Sequence, residues 1–185
     1  FLIVPEIGGG SVNESGVELT ETTRFLARAR LGVDWSALVE TTFFTAGPLP
    51  LRISEIMYHP DTGDAEYLEL LNISVAPVIL HDAAKEEAWR VTSGITFSFP
   101  ANPPVTMQPG ERILLVRNAP VFSSSFNVPA AVQVFQWTAG GLSNGGEKIE
   151  ISSPGDLDEE GTRQFIRVDR VGYEDSEPWP AAPDL

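Results

Sequence analysis

The chain has two histidines, and each lies beside carboxylates in a segment that the sequence predicts to be a turn. His59 is followed by Asp61 and Asp64. His81 is followed directly by Asp82. A histidine beside a carboxylate can ligate a metal ion, or it can act as a general base whose ring the carboxylate orients. Neither histidine belongs to a motif with recognised ligand spacing, so we favour the interpretation that both are solvated turn residues.

The sharpest metal candidate is the acidic segment of residues 156–161, DLDEEG. Acidic residues occupy its first, third and fifth positions (Asp156, Asp158 and Glu160), and glycine occupies the sixth, as at the start of an EF-hand calcium loop. The twelfth position should hold a bidentate glutamate but is Arg167, which excludes an EF-hand. An irregular calcium site built from these three carboxylates is one prediction, and calcium is the only cofactor considered. The alternative, which we favour, is a solvated acidic hairpin loop.

Two glutamates, Glu66 and Glu69, have the chemistry of a glycosidase acid and nucleophile. Three residues apart on a strand, they point to opposite faces, which excludes that pairing unless a bulge intervenes. The serines lack the flanking glycines of a nucleophile elbow. The glycines at residues 8–10 lack the Gly-Lys-Ser/Thr end of a phosphate loop. We therefore predict that the chain is not an enzyme.

The four tryptophans offer flat faces on which sugar rings could stack. They are Trp35, Trp89, Trp137 and Trp179. A tryptophan within a strand pattern is more often a core residue, and that interpretation is favoured for each of them. Trp137, which precedes a segment of small residues at 138–141, is the predicted ligand-binding candidate.

Strands must position these side chains, and the clearest strand pattern lies in residues 51–72, LRISEIMYHPDTGDAEYLELLN. Residues 53–58 alternate with period two, as expected of a half-buried strand. Proline and glycine in residues 59–64 break that pattern and predict a turn or loop. A second strand follows and ends at Asn72.

Three other local predictions follow from composition and spacing. Phe122 and Phe126 are four residues apart, which predicts a short helix over residues 119–126. Residues 82–88 are rich in helix formers and predict one exposed helical turn or a loop. Residues 144–146, Asn-Gly-Gly, predict a tight turn with positive φ.

Residues 51–180 resemble the lamin tail domain, in the form carried by secreted bacterial multidomain proteins. Beside the segment at 51–72, the resemblance rests on FSFP at 97–100 with MQPGE at 107–111, on GLSNGGEKI at 141–149, and on VDRVGY at 168–173 with EPWP at 177–180. These motifs occur in the order of the family. The resemblance implies an immunoglobulin-like β-sandwich that is a noncatalytic scaffold, with Trp179 closing the tail and residues 181–185 beyond it.

Residues 1–46 resemble the last strands of a fibronectin-type-III-like module. The segment has a threonine-rich entry at 20–23, alternating arginine and alanine at 24–30, and Trp-Ser-Ala at 35–37 before a β-branched strand. Residues 47–50, Gly-Pro-Leu-Pro, predict a linker because proline cannot continue a sheet ladder. The predicted fold is therefore all-β: an N-terminal partial β module, which could instead pack on the sandwich, followed by the immunoglobulin-like sandwich of lamin tail type.

Charge and composition restrict the classes of partner. The net charge of −14 opposes binding to nucleic acid or to an anionic membrane, because both depend on lysine and arginine. No stretch is long and apolar enough to predict a membrane span. The absence of cysteine excludes disulfides and thiolate chemistry but leaves the redox compartment undetermined.

Together these features predict a noncatalytic interaction or scaffolding module of a larger secreted or cell-surface protein. The expected partners are a protein or polysaccharide at the cell surface and the neighbouring domains of the same polypeptide. One alternative is a carbohydrate-binding module that serves a polysaccharide-active enzyme. Another is a hydrolase whose site lies in the acidic loops, which would require a cleft that gathers a histidine with two carboxylates.

Overall fold

The computed structural model describes residues 23–43, 49–158 and 160–176. The chain divides into two compact units, Phe1–Gly47 and Pro48–Leu185. The division falls at the segment predicted to be a linker. Trp179 and the end of the predicted sandwich lie outside the described residues. No helix in the described ranges is long and apolar enough to cross a membrane.

The described part of the N-terminal unit consists of two small antiparallel sheets. Its strands are β1 (Thr23–Ala27), β2 (Arg30–Leu31), β3 (Asp34–Trp35) and β4 (Val39–Phe43). The pairing of β1 with β4 brings the rings of Phe25 and Phe43 edge to face, with 5.2 Å between centroids. Gly32 adopts a φ of 61° at the turn between β2 and β3, a conformation that glycine adopts without strain.

The described part of the second unit contains twelve strands and one helix. They are β5 (Leu51–Met57), β6 (Tyr67–Asn72), β7 (Val78–Ile79), β8 (His81–Asp82), β9 (Glu87–Ala88), β10 (Arg90–Ser93), β11 (Phe97–Ser98), β12 (Thr106–Met107), β13 (Arg112–Val116), α1 (Ala119–Ser125), β14 (Gln133–Gln136), β15 (Gly146–Leu157) and β16 (Arg163–Glu174).

Two four-stranded sheets form the body of this unit. One has the order β11-β10-β15-β16 and the other the order β14-β13-β6-β5. Neighbouring strands are antiparallel except for β13 and β14, which are parallel. The carboxylate of Asp169 on β16 accepts a hydrogen bond from the backbone N–H of Ile53 at 2.8 Å and pairs with Arg52 at 3.2 Å. This contact joins the edge strands β16 and β5 of the two sheets.

The main core contains apolar side chains from both sheets. The β5-β6-β13 side contributes Leu51, Ile53, Leu68, Leu70, Ile113 and Leu115, and the β10-β15-β16 side contributes Val91, Ile149, Ile151 and Val168. Alternate residues of β6 and β13 turn to the opposite face, where a second cluster contains Tyr67, Leu114, Val116 and Phe122. The predicted all-β sandwich is therefore confirmed.

The predicted helix is confirmed as α1, which covers the second cluster. Asn118 caps its N-terminus, because the side-chain oxygen accepts a hydrogen bond from the N–H of Val121 at 3.3 Å. Phe122 and Phe126 share one face, and both rings pack edge to face on Tyr67. The four-residue spacing of the two phenylalanines thus indicates which side of the helix faces the protein.

Residues 82–88 contain a hairpin turn, so the loop alternative was right and the helical turn was wrong. Strands β8 and β9 pair through His81 with Ala88 and Asp82 with Glu87. The carboxylate of Asp82 accepts hydrogen bonds from the ammonium group of Lys85 at 3.0 Å and from the N–H of Ala84 at 3.0 Å. The bond from Lys85 is the main cause of the lowered pKa of Asp82. Backbone pairing overrides helix propensity here.

Candidate functional site

Three loops meet at one end of the sandwich and bring ionisable side chains together. Residues 58–66 connect β5 with β6, residues 117–118 follow β13, and residues 137–145 connect β14 with β15. Because β6 and β13 are antiparallel neighbours, Tyr67 at the start of β6 lies opposite Val116 at the end of β13. The residue before β6 and the residue after β13 are therefore placed side by side.

Glu66 is that residue before β6, and its side chain is buried. It is only 4% exposed. One carboxylate oxygen accepts a hydrogen bond from Nη1 of Arg117, and the other accepts one from the backbone N–H of Leu142 at 2.7 Å. The main-chain carbonyl of Glu66 also accepts a hydrogen bond from the N–H of Arg117 at 3.0 Å. A buried carboxylate needs such partners, since burial without them would be costly.

Arg117 extends the network to the protein surface. Its Nε lies 3.3 Å from a carboxylate oxygen of Asp64, whose side chain is 57% exposed. The guanidinium therefore bridges one buried and one exposed carboxylate. Gly141 packs closely beside it, since an added Cβ would lie 3.1 Å from Nη1 of Arg117 and 3.4 Å from Oε2 of Glu66. We call Asp64, Glu66, Arg117 and the Leu142 N–H the loop clamp.

The residues of the loop clamp line an open depression of about 430 Å³. The lining includes Tyr58, His59, Pro60, Gly63, Asp64, Glu66, Arg117, Leu142 and Asn144. The depression gathers His59 with the carboxylates of Asp64 and Glu66, the grouping that the hydrolase alternative required. His81 lies instead in β8 and does not line it.

Tyr173, on β16, makes hydrogen bonds to residues at the same end of the sandwich. The hydroxyl of Tyr173 donates to the carbonyl of Ser143 at 2.8 Å and contacts the carboxylate of Glu147 at 3.1 Å. The carboxylate of Glu147 also accepts the N–H of Ser143 at 2.7 Å. Burial, followed by the charge of Glu147, raises the pKa of Tyr173. The ring of Tyr58 stacks on that of Tyr173 with 4.6 Å between centroids.

The predicted turn at residues 144–146 supplies the first residue of β15. Gly146 has a φ of 97°, as expected for this turn. An added Cβ would lie 2.6 Å from the carbonyl oxygen of Tyr173 and 2.7 Å from Cα of Glu174. The same segments line a second open depression of about 710 Å³, formed by residues 145–148 and 172–176.

Glu69 has different partners from Glu66. It lies within β6, where it pairs with Arg112 at 3.0 Å and accepts a hydrogen bond from the hydroxyl of Ser54 at 2.8 Å. Each glutamate thus engages its own arginine, and the two do not converge on one substrate position as an acid and nucleophile would.

The calcium candidates lie at the far end of the β15–β16 hairpin. Asp156, Asp158 and Glu160 are all exposed. The carboxylate of Asp158 accepts hydrogen bonds from the N–H groups of Glu160 at 3.0 Å and Thr162 at 2.8 Å. Its second oxygen accepts one from the amide of Gln164 at 2.7 Å. Across the described ranges, no group of three or more histidine, aspartate or glutamate side chains is arranged to hold a metal ion. The hydrogen bonds of Asp158 stabilise the hairpin turn.

The three described tryptophans differ in how far their rings are exposed. Trp137, the predicted ligand-binding residue, is 4% exposed and belongs to the core, where its indole N–H donates to the carbonyl of Gly140 at 3.1 Å. Its ring is therefore unavailable to a sugar. Trp89 is half-buried against the core. Trp35 is 41% exposed, but the guanidinium groups of Arg28 and Arg30 lie over its ring, at 4.2 and 5.2 Å from the centroid.

The most important member of the site, Arg117, was not singled out by the sequence interpretation. One signal for it was present in the sequence. Arg117 directly follows the apolar run at residues 113–116, which places a charged side chain at the end of a buried strand. Leu142 contributes only its backbone N–H to the loop clamp, and no pattern of side chains in the sequence predicts such a contact. Tyr173 belongs to the motif at 168–173, but its hydroxyl bond to Ser143 depends on the fold.

No protein-family model matches this chain, and a search of curated proteins finds no match either. A β-sandwich supports many unrelated functions, so the fold does not determine what the chain does. We call the end of the sandwich formed by residues 58–66, 117–118 and 137–145 the loop end.

Proposed function

We propose that this chain is a noncatalytic interaction module from a larger secreted or surface-attached protein. The observation that carries the proposal is the state of Glu66. Each of its carboxylate oxygens accepts a hydrogen bond, one from Arg117 and one from the Leu142 N–H. A general acid or base must exchange a proton with a substrate, whereas this carboxylate is committed to holding three loops together.

The lamin tail assignment is part of the proposal. The motifs at 51–72, 141–149 and 168–173 are distant in the sequence, yet they supply Glu66, the Leu142 N–H and Tyr173 at one end of the sandwich. A family motif that holds loops in place is consistent with a scaffold. Secretion or surface attachment follows from the same resemblance.

The expected contact surface is the loop end. The clamp makes it a preorganised surface, and preorganisation lowers the entropic cost of binding a partner. The exposed acidic groups at its rim, with a net charge of −14 for the chain, disfavour nucleic acid and favour a neutral or basic partner. We propose a protein or polysaccharide at the cell surface, together with neighbouring domains of the same polypeptide.

A hydrolase is the second candidate, because His59, Asp64 and Glu66 line one depression. Purified chain would be incubated with chromogenic esters, phosphate esters and glycosides. The module proposal predicts no turnover above buffer, for the wild type and for His59→Ala alike. Turnover that falls about 100-fold or more in both His59→Ala and Glu66→Gln, but not in His81→Ala, would establish the hydrolase instead.

Retention on insoluble cellulose, chitin and xylan tests the polysaccharide partner. Retention that is lost in Asp64→Ala and kept in the distant variant Asp156→Ala would place polysaccharide binding at the loop end. Retention that depends on Trp35 alone would move the contact to the N-terminal unit. Absence of retention on all three would favour a protein partner.

A further inference from the structure

The loop end contains a dipeptide with a distinctive backbone chemistry, Asn144–Gly145. It is the only Asn-Gly pair in the 185-residue sequence. Both residues are exposed and lie in the turn that leads into β15. Glycine has no Cβ, so its backbone nitrogen can approach the side-chain carbonyl carbon of the preceding asparagine with less steric hindrance than any other residue allows.

The surroundings leave the reacting groups of this pair accessible. Within the described part of the chain, no hydrogen bond holds the side-chain amide of Asn144. The N–H of Gly145 makes only a long bond, 3.3 Å, to the hydroxyl of Ser143. Gly145 itself has open space, since an added Cβ would meet nothing closer than that hydroxyl at 3.9 Å.

We propose that Asn144 is a site of spontaneous deamidation in the folded protein. The deprotonated backbone nitrogen of Gly145 attacks the side-chain carbonyl carbon of Asn144, a new C–N bond closes a succinimide ring, and the side-chain nitrogen leaves as ammonia. Water then opens the ring at either carbonyl. One opening gives aspartate, and the other gives isoaspartate, in which the main chain runs through the former side chain.

Both products change the loop end. Either one adds a carboxylate to the lining of the depression that contains Asp64 and Glu66. Isoaspartate also adds a methylene to the main chain between Ser143, whose carbonyl is held by Tyr173, and Gly146, which has no room to move toward β16. We expect the isoaspartate form to weaken the bond between Tyr173 and Ser143, so the surface changes with the age of the molecule.

The test is incubation of the folded chain at neutral and mildly alkaline pH, followed by peptide mass spectrometry and isoaspartate-specific methylation. Deamidation is expected at Asn144 well before Asn127, which is also exposed but precedes valine. Gly145→Ala is expected to slow the reaction at Asn144, and unfolding measurements would verify that this variant folds. Equal rates at Asn144 and Asn127, or a folded Gly145→Ala chain that reacts as fast as the wild type, would overturn the proposal.

Discussion

Glu66 and Arg117 are joined twice, once through their main chains and once through their side chains. The backbone N–H of Arg117 donates to the carbonyl of Glu66 at 3.0 Å, and its guanidinium donates to the carboxylate of Glu66. The first bond extends the β6–β13 ladder by one residue beyond the pair of Tyr67 with Val116. The second fixes a buried charge at the point where the ladder ends.

Removal of the arginine should leave that buried charge without its partner. We expect Arg117→Ala to lower the free energy of unfolding by about 2 kcal/mol, less than for a fully buried pair because the arginine is 40% exposed. The matched control is Arg112→Ala, which breaks the more exposed pair with Glu69 and should cost about 0–1 kcal/mol. Urea unfolding of both variants measures the two losses of unfolding free energy. Equal losses would contradict the prediction that Arg117→Ala costs more than Arg112→Ala.

Gly146 should tolerate no side chain. Gly146→Ala combines a positive φ with a Cβ that would lie 2.6 Å from a backbone oxygen, so we expect a loss of about 3 kcal/mol. Gly161→Ala has a similar positive φ but open space around its Cβ, and it should cost only about 1 kcal/mol. Thermal and urea unfolding would separate the two, and a Gly146→Ala chain as stable as Gly161→Ala would show that the close approach is wrong.

Two tyrosines should make the protein less stable at high pH. Burial raises the pKa of Tyr67 and of Tyr173, and nearby Glu55 and Glu147 raise them further. The folded chain therefore keeps both phenolic protons at a pH where the unfolded chain releases them. Stability is fully present below the ordinary tyrosine value of about 10 and is lost as pH rises above it.

Phenylalanine variants isolate this effect. Tyr67→Phe and Tyr173→Phe each remove a titrating group, so each should reduce the fall in unfolding free energy above about pH 10. Near neutral pH each should cost about 1 kcal/mol, because the hydrogen bonds to Glu55 or to Ser143 and Glu147 are lost. Urea unfolding across a pH series measures both quantities. If the unfolding free energy of both variants falls with pH as steeply as that of the wild type, groups other than these tyrosines cause the loss of stability above about pH 10.

Asp158 should stabilise the β15–β16 hairpin without any metal ion. Its carboxylate accepts two hydrogen bonds from N–H groups of the turn and one from the side chain of Gln164 on β16, so Asp158→Ala should cost about 1 kcal/mol. Asp156→Ala, whose carboxylate makes no hydrogen bond among the described residues, should be nearly neutral. Thermal midpoints in added calcium and in chelator are expected to coincide for the wild type. If calcium raises the thermal midpoint of the wild type but not that of either variant, these carboxylates do form a calcium site.

Local patterns predicted the parts of the fold that depend on near neighbours. Period-two alternation at 53–58 predicted a strand, which is β5, but a register shift between Ile53 and Glu55 interrupts the alternation and places both Ile53 and Ile56 on the main core. The four-residue spacing of Phe122 and Phe126 predicted the buried side of α1. For residues 82–88 the loop alternative was right and the helical turn was wrong, because the ends of the segment belong to short strands that pair with each other. Composition describes a segment in isolation, whereas β8 and β9 are defined by their pairing.

The loop clamp could not be predicted in the same way. Glu66 is 51 residues from Arg117 and 76 residues from Leu142 in the sequence, and only the register of β6 on β13 brings them together. Glu66 and Glu69 have different partners, in keeping with the prediction that they point apart, but no local pattern indicates that Glu66 is buried. For Trp137 the favoured interpretation, a core residue, is confirmed, since its side chain is only 4% exposed.

A double-mutant cycle decides whether Glu66 and Arg117 act together as a clamp on the loop end. The free energy of unfolding would be measured for the wild type, Glu66→Gln, Arg117→Met and the double variant. We predict a favourable coupling of about 1–3 kcal/mol, because each residue loses most of its contribution once the other is gone. Effects that add to within about 0.3 kcal/mol would show that the two residues are energetically independent and would contradict the clamp.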